Sequence, residues 1–453
     1  IKKLRFLGLL INEMLQVEMG ILTETDRDSY RNKRVHDAGI SLAKSIKTHF
    51  NRNVVIPIQK TLRRLVKQNP FENIDDRDII ATFQNVISGD LNKVMEQAIT
   101  TGNKAIRLHL NRVASSVLER KNTFNTDVML RTVVAHNPPN ASKQASRADL
   151  MRRVHPSYWG FICVLRSADT GATVGVNKEL AITATVAGSG EPLLLKEHMS
   201  YDSELISVDD VTGVDISRRK LTAVMVNGDW VGCCADPISF LRRYKLLRRE
   251  GKVVDPTTTI AWNPVIGRVE FELDMGRIVR PLLIVDSNVD EYDAACRAAF
   301  AAKKAGDKNW EKKRIPFFQN IRMTKKHANG IRFGRMTMDD LRKDGLIEYV
   351  SAEEQENCYI AENIHVLRQN SGNILRQYTH CDVDIAIFGM SALQSPFVNC
   401  TQPVRGTYET NQSRSSAGYY AFNWPYRVDR LRFNQFAVES PLVSTIVSRV
   451  EYP

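Results

Sequence analysis

Leu221-Thr222-Ala223-Val224-Met225-Val226-Asn227-Gly228-Asp229-Trp230-Val231-Gly232 reads as two strands folded about Asn-Gly, a pair that takes positive φ at low steric cost and so suits a tight hairpin. Shortly beyond, Asp236-Pro237 opens a helix predicted over 237–250. Asp236 serves as its N-cap, Gly251 as its stop, and Arg242, Arg243, Lys245, Arg248 and Arg249 give it a basic face. Between Gly160 and Val285 the texture stays β-branched and apolar, and a further strand is predicted over 180–186, ahead of Gly188-Ser189-Gly190. Upstream the period changes to three and four residues, over 3–14 and again over 37–64, where Ile40, Leu42, Ala43, Ile46 and Phe50 line one helix face. Asp75-Asp76-Arg77-Asp78 resembles an acidic first turn before Ile79-Ile80-Ala81-Thr82-Phe83, helical character continues over 91–99, and Gly102-Asn103 ends it. The 136–145 stretch, with two prolines and small polar residues, is an exposed loop, and 302–313 is a Lys-rich loop or surface helix. No internal repeat is evident. The expectation is an α+β chain of several lobes.

Its 453 residues exceed what one hydrophobic core supports. Hydrophobic content of 43% and charged content of 25% are those of a folded globular protein. Lys plus Arg number 63 against 51 Asp plus Glu, a formal charge of +12, which suits either a polyanionic partner through counterion release or an acidic neighbouring subunit. Seven cysteines, without a Cys-x-x-Cys pair, argue against a zinc site and read as reduced thiols. No apolar run reaches the roughly 20 residues that cross a bilayer, and the Ile1-Lys2-Lys3-Leu4 start lacks a signal-peptide layout, so a cytoplasmic or virion-interior setting is expected. A start at Ile also suggests an upstream segment. The absence of Gly-x-x-x-x-Gly-Lys-Ser/Thr and of His/Cys clusters argues against a P-loop ATPase or a free-standing metalloenzyme.

Four segments then occur in a telling order: Asp26-Arg27-Asp28-Ser29-Tyr30-Arg31-Asn32-Lys33-Arg34, His155-Pro156-Ser157-Tyr158-Trp159-Gly160, Gly276-Arg277-Ile278-Val279-Arg280-Pro281-Leu282 and Tyr378-Thr379-His380-Cys381. They resemble signature segments of the second-largest (β) subunit of multisubunit DNA-dependent RNA polymerases, as do Ala98–Asn103, Val117–Phe124 and Gly345–Glu354. The resemblance implies a multi-lobed β-subunit architecture: 1–105 as the end of the lobe and the second part of the protrusion, 106–185 as fork, 186–390 as β-rich external lobes, and 391–453 as the start of the hybrid-binding region. In the fork it implies that Arg131, Lys143, Arg147, Arg152 and Arg153 meet phosphates, a task that positions nucleic acid without reading bases. The alternative for each is a bond to the large partner subunit. After Trp159-Gly160 the chain departs from the family, with Arg166-Ser167-Ala168-Asp169-Thr170-Gly171 where a glutamate-containing run is usual. Gly276-Arg277 reads as a turn and Arg280-Pro281 as a strand entry, both framework.

Near the end, Gln402-Pro403-Val404-Arg405-Gly406-Thr407-Tyr408 resembles the family segment whose arginine reaches the triphosphate of the incoming nucleotide, which maps onto Arg405. A guanidinium suits that place because it is permanently charged and donates in a fork to phosphate oxygens. Tyr408, Asn411 and Arg414 are the neighbouring candidates for contact with the hybrid or a partner, and Gly406 replaces an Asn of the family. Asp382-Val383-Asp384 invites a metal-site reading, with both carboxylates on one strand face. The structural reading is preferred, because the resemblance assigns magnesium to the large subunit and none to this chain. The implied partners are the remaining part of a split β subunit, as in giant bacteriophage enzymes, β′-like large-subunit polypeptides, the DNA template and RNA–DNA hybrid, nucleoside triphosphates and a promoter-specificity subunit. Template-directed nucleotidyl transfer in viral transcription, by a subunit inactive alone, is the expected function. A degenerate β-like scaffold or regulator and a basic DNA-binding structural protein are the rivals.

Overall fold

The computed structural model describes residues 2–35, 50–68, 123–134, 151–166, 174–211, 221–305, 310–313, 315–398 and 400–416, with scattered positions among 43–84 and residue 118. The whole of the expected 91–99 helix, the 136–145 loop with Lys143, and Arg147 lie outside these residues. Strands are numbered in chain order: β1 Thr132–Val134, β2 Asn177–Glu179, β3 Thr185–Val186, β4 Ile206–Ser207, β5 Thr222–Val226, β6 Asp229–Cys234, β7 Thr259–Asn263, β8 Arg268–Glu272, β9 Ile278–Ser287, β10 Gln319–Ile321, β11 Ile347–Ser351, β12 Ile360–Ala361 and β13 His380–Cys381.

Five of them form a sheet in the order β4-β6-β5-β8-β7. The expected hairpin is its centre: Asn227 (φ 49°) and Gly228 (φ 80°) both take the left-handed region, which turns β5 directly into β6. Register slips between Val224 and Met225, leaving Val231 unpaired as a bulge. Side-chain alternation explains why β5 is apolar on both faces. Val224 and Val226 face the Pro237–Glu250 helix, in a core with Phe240, Tyr244, Ile260, Val269 and Phe271. Ala223 and Met225 face the opposite way, joined by Phe6 and Leu9 of the Lys2–Glu18 helix. The Phe240, Tyr244 and Phe271 rings meet edge-on or tilted, with centroids 4.6 to 6.2 Å apart, and truncating one to Ala is worth about 3–5 kcal/mol.

The second sheet is organised by β9, which pairs with β3, β10, β11 and β13. Pro281 lies inside this strand and not at its entry, opposite Tyr349 of β11. It is tolerated there because β3 stops at Val279 and β13 begins at Leu283, so its missing N–H faces a gap in the ladder. The strand expected over 180–186 is broken. Ala184 N–H closes a turn on Ala181 C=O at 3.0 Å, and only Thr185–Val186 joins the sheet. Upstream, Asn51–Val55 is wound as a π-helix before the Ile56–Gln68 helix. The wider turn accommodates Pro57, which lacks an N–H and would crowd the carbonyl one α-turn back.

Candidate functional site

Three of the four signature segments, and Asp382 next to the fourth, converge on one knot. Ser29 caps the Tyr30–Asn32 turn, and Tyr30 N–H donates to Ser157 Oγ at 2.9 Å. His155 Nε2 stands 2.6 Å from Asp26 Oδ2, and the Tyr30 and Tyr158 rings meet edge to face at 5.0 Å. The Lys178 ammonium lies 5.2 Å from the Tyr158 ring, and burial, aided by Lys33, pushes its pKa down to about 8. Arg34 then reaches across to Glu272 at 2.7 Å and Asp274 at 2.6 Å. Val35 N–H donates to Gly276 C=O at 2.7 Å, with Gly276 at φ +90°. A Cβ on Gly276 would stand 2.4 Å from Val35 O, so this crossing demands glycine.

Arg280 joins the remaining segments. It is fully buried, ion-paired with Asp382 at 2.5 Å, bonded to Gln355 Oε1 at 3.1 and 2.9 Å, and seated against the Phe161 ring. Gly160 (φ +76°) lets the backbone pass over it, since a Cβ there would come within 2.4 Å of the guanidinium. Asp382 and Asp384 therefore do not share a strand face: β13 ends at Cys381, Asp382 turns inward to Arg280, and Asp384 is exposed on the following turn.

The basic face of the Pro237–Glu250 helix is also turned inward. Arg248, 1% exposed, donates to Glu354 at 2.6 Å, Glu348 at 2.7 Å and Thr258 C=O at 2.6 Å. Lys245 pairs with Glu354 at 2.9 Å, Arg249 with Glu348 at 3.2 Å, and Arg243 with Asp202 and Glu204. Of the five cations only Arg242 is exposed without a carboxylate among the described residues. His380 completes the cluster 3.2 Å from Glu348. Burial alone would lower its pKa, but hydrogen bonds from its ring to Cys358 and Glu348 outweigh that and raise it to about 9. Glu348 is held well below the usual carboxylate range by Arg248, His380 and its other cations, against the upward push of burial. Sequence periodicity found these arginines but not their partners, which for Arg248 and Arg249 lie 99 to 106 residues away.

Glu270, Glu272 and Glu353 also come within 4.8 Å of one another. Burial first, then Glu272 and Glu270, push the Glu353 carboxyl up to about 8, so near neutrality it is protonated and can donate to Glu270. With Glu272 already on Arg34 and Glu270 on Arg268 at 3.2 Å, the group is satisfied by one shared proton and two guanidinia.

The residues expected to touch nucleic acid or nucleotide divide by exposure. Arg405 lies in the first turn of the Pro403–Ser416 helix, exposed, its guanidinium 5.8 Å from the Tyr408 ring centre and without a carboxylate among the described residues. Tyr408 is 38% exposed beside it. Asn411 is buried: its Oδ1 accepts from Arg166 and its Nδ2 donates to Thr407 C=O at 3.1 Å. Arg166, in the run that departs from the family, is itself buried 3.9 Å from Glu179, whose carboxylate accepts from Ser391 Oγ at 2.7 Å and Ser391 N–H at 3.1 Å. Together with Thr407 Oγ1 donating to Leu165 C=O at 3.0 Å, this cluster seats the helix that carries Arg405. Gly406 faces Leu165, where a Cβ would meet the leucine methyls at 3.4 to 3.5 Å. Arg131 turns inward and donates to the carbonyls of Ala181 at 2.6 Å and Ala184 at 3.1 Å, the contacts that hold the broken 180–186 strand in a turn. Arg152 donates to Val174 C=O, and Arg153 is exposed. Arg414 sits in the last turn of its helix, and its side chain is outside the described residues.

Comparison with known proteins gives three successive family matches: "RNA polymerase Rpb2, domain 3" over residues 116–186, domain 4 over 224–286 and domain 5 over 338–384. Similar full-length proteins include DNA-directed RNA polymerase II subunit RPB2 of Encephalitozoon cuniculi, 29% identical across 98% of this chain and 35% of that protein. DNA-directed RNA polymerase D subunit 2b of Arabidopsis thaliana is 28% identical across 99% of this chain and 35% of its own length. Subunit Rpo2 of Sulfolobus acidocaldarius is 26% identical across 98% and 35%. The chain thus spans about a third of the curated relatives it matches. It is homologous to subunits of DNA-directed RNA polymerases.

Proposed function

We infer that this chain is a stretch of the second-largest subunit of a multisubunit DNA-directed RNA polymerase, the part corresponding to Rpb2 domains 3 to 5. The observation that carries the reading is the knot itself. Segments 26–34, 155–160 and 276–282 were singled out separately by their resemblance, and they are bonded to one another, with the flanking residues Val35, Asp274 and Asp382, through Tyr30–Ser157, Arg34–Asp274, Val35–Gly276 and Arg280–Asp382. A basic scaffold with an unrelated fold has no reason to join those segments.

Within that enzyme the chain helps template-directed RNA synthesis by holding nucleic acid and nucleotide. Arg405 is proposed to meet the polyphosphate of the incoming nucleotide. Its place in the first helical turn adds the partial positive charge of unpaired backbone N–H groups to its own. As negative charge builds on the pyrophosphate leaving group, a preset guanidinium stabilises it without reorganising. Tyr408 beneath it limits the rotamers of Arg405, and Arg166, Asn411 and Glu179 act through the helix as positioning residues. Arg131 is proposed as an anchor of the fork; Arg152, Arg153 and Arg414, with Lys143 and Arg147, remain proposed phosphate contacts. Magnesium, which supplies charge neutralisation in nucleotidyl transfer, does not fit the Asp382-Val383-Asp384 run, because Asp382 is committed to Arg280; the ion belongs to the large partner subunit in this reading. The domain divisions at 105/106, 185/186 and 390/391, a viral setting and a split subunit are proposed on the resemblance and on the departures at 166–171 and Gly406. Co-purification of the partner polypeptides from infected cells tests the setting.

Arg405→Ala in the assembled polymerase tests the site. A lost charge-assisted hydrogen bond is worth about 1.5–3 kcal/mol, so the nucleotide concentration needed for half-maximal elongation rises about tenfold to a hundredfold while subunit assembly is unchanged. An unchanged nucleotide dependence removes Arg405 from the site.

A further inference from the structure

The segment 324–336 projects a ring and four cations from the module built on β11. Its helix, Lys325–Arg332, opens on Thr324, whose N–H donates to His327 Nδ1 at 3.2 Å. It closes in a tight reversal: Gly334 takes φ +64°, and the N–H groups of Arg335 and Met336 both donate to Gly330 C=O, at 2.8 and 3.2 Å. A Cβ on Gly330 would stand 2.7 Å from Met336, whose side chain packs beside Leu341, Leu346 and Ile347. The reversal is therefore locked to a core, and Phe333 is held outward at its tip, 65% exposed. The guanidinia of Arg332 and Arg335 lie 5.9 and 5.8 Å from its ring centre. Lys325 and Lys326 lie one to two turns earlier on the same helix. Arg322 next to them is paired with Asp286 at 2.6 Å, but Lys325, Lys326, Arg332 and Arg335 have no carboxylate partner among the described residues.

We propose that this reversal is a binding platform for single-stranded nucleic acid, separate from the Arg405 helix. One base stacks on Phe333, and the phosphates on either side of it meet Arg332, Arg335, Lys325 and Lys326. Single strands suit it because an unpaired base exposes a π-face, whereas a duplex offers the ring only phosphates and groove edges. An acidic peptide would engage the four cations and leave the ring without a partner, so the exposed aromatic favours bases over carboxylates. Preorganisation by Gly334 and Met336 lowers the entropy lost on binding.

The test is fluorescence anisotropy of the full chain with a labelled oligo(dT) of about 12 nucleotides, a length within the usual range for one single-strand site. Stacking of one base predicts that Phe333→Ala weakens binding by about fivefold to a hundredfold, while Phe333→Trp retains it. Replacing Lys325, Lys326, Arg332 and Arg335 by Gln lowers the slope of log affinity against log salt by about 0.7 for each phosphate that is no longer neutralised. Removing the exposed cations Lys60, Arg63 and Lys67 instead leaves the Phe333→Ala effect in place. Equal affinities for wild type and Phe333→Ala overturn the proposal. So does displacement of the probe by a polyglutamate peptide of matched charge as effective as unlabelled oligonucleotide, which would assign the patch to an acidic protein segment. Because direct binding is measured, the outcome does not depend on polymerase activity.

Discussion

Asp382→Asn removes one charge from the centre of the knot and leaves Arg280 buried with only neutral side-chain acceptors, Gln355 and the new amide oxygen. The side chains of the pair are 0% and 4% exposed, so neither is relieved by water when the other is lost. Breaking a pair of this kind costs about 3–5 kcal/mol, a large share of the roughly 5–15 kcal/mol that holds a domain folded. The damage should be local, because Arg280 lies on β9 and touches the β13 end, the 155–161 turn and the Ala352–Gln355 helix. Hydrogen–deuterium exchange of the peptide spanning 278–287 reads it directly: amides that open through this unit exchange about a hundredfold faster or more. The 237–250 peptide, which belongs to the other sheet's core, serves as the reference. Replacing both partners by apolar residues, Arg280→Met with Asp382→Leu, should recover most of the loss, since a well-packed apolar pair often matches a buried ion pair. Exchange at the wild-type rate in Asp382→Asn, or a double variant as damaged as the sum of the singles, would refute the account of Arg280 as a buried cation that requires this carboxylate.

Gly276→Ala should place a Cβ 2.4 Å from Val35 O at φ +90° and release the 26–35 segment at a cost of about 1–3 kcal/mol. Faster tryptic cleavage after Lys33 or Arg34 reports that release, and an unchanged cleavage pattern argues that the crossing has slack. His380 gives a pH signature. Its folded pKa, about 9, lies above the ordinary 6.5, so its stabilisation is complete below about pH 6.5 and disappears as pH rises through about 9, on the order of 3 kcal/mol in all. Glu353, raised to about 8, acts in the same direction between about pH 4.5 and 8. Lys178, lowered to about 8, acts oppositely between about pH 8 and 10.5. Urea midpoints of wild type and His380→Gln at pH 6 and pH 9 should therefore converge toward alkaline pH, and parallel curves would exclude His380 from the effect.

Where a structural feature depends on a few neighbouring residues, it was legible in advance. Asp236 caps its helix by accepting from the N–H groups of Ile238 and Ser239, and Gly251 ends it at φ +70°. Both follow from local backbone needs. The Asn227-Gly228 turn and the Gly276 turn were legible on the same ground. The strand expected over 180–186 failed because its carbonyls are taken by Arg131, about 50 residues away, and propensity carries no information about a distant donor.

The sequence by itself determined the family resemblance, the mixed α and β character, the hairpin and the helix ends, because order, period and steric preference are properties of the chain. Which cations are free was decided only by tertiary structure. Arg248, Arg280, Arg166 and Arg131 are drawn inward by carboxylates and carbonyls brought from far along the chain, whereas Arg405 and the pair beside Phe333 stay exposed. Charge is counted along a sequence, but desolvation and pairing, which decide what that charge can bind, depend on the three-dimensional neighbours alone.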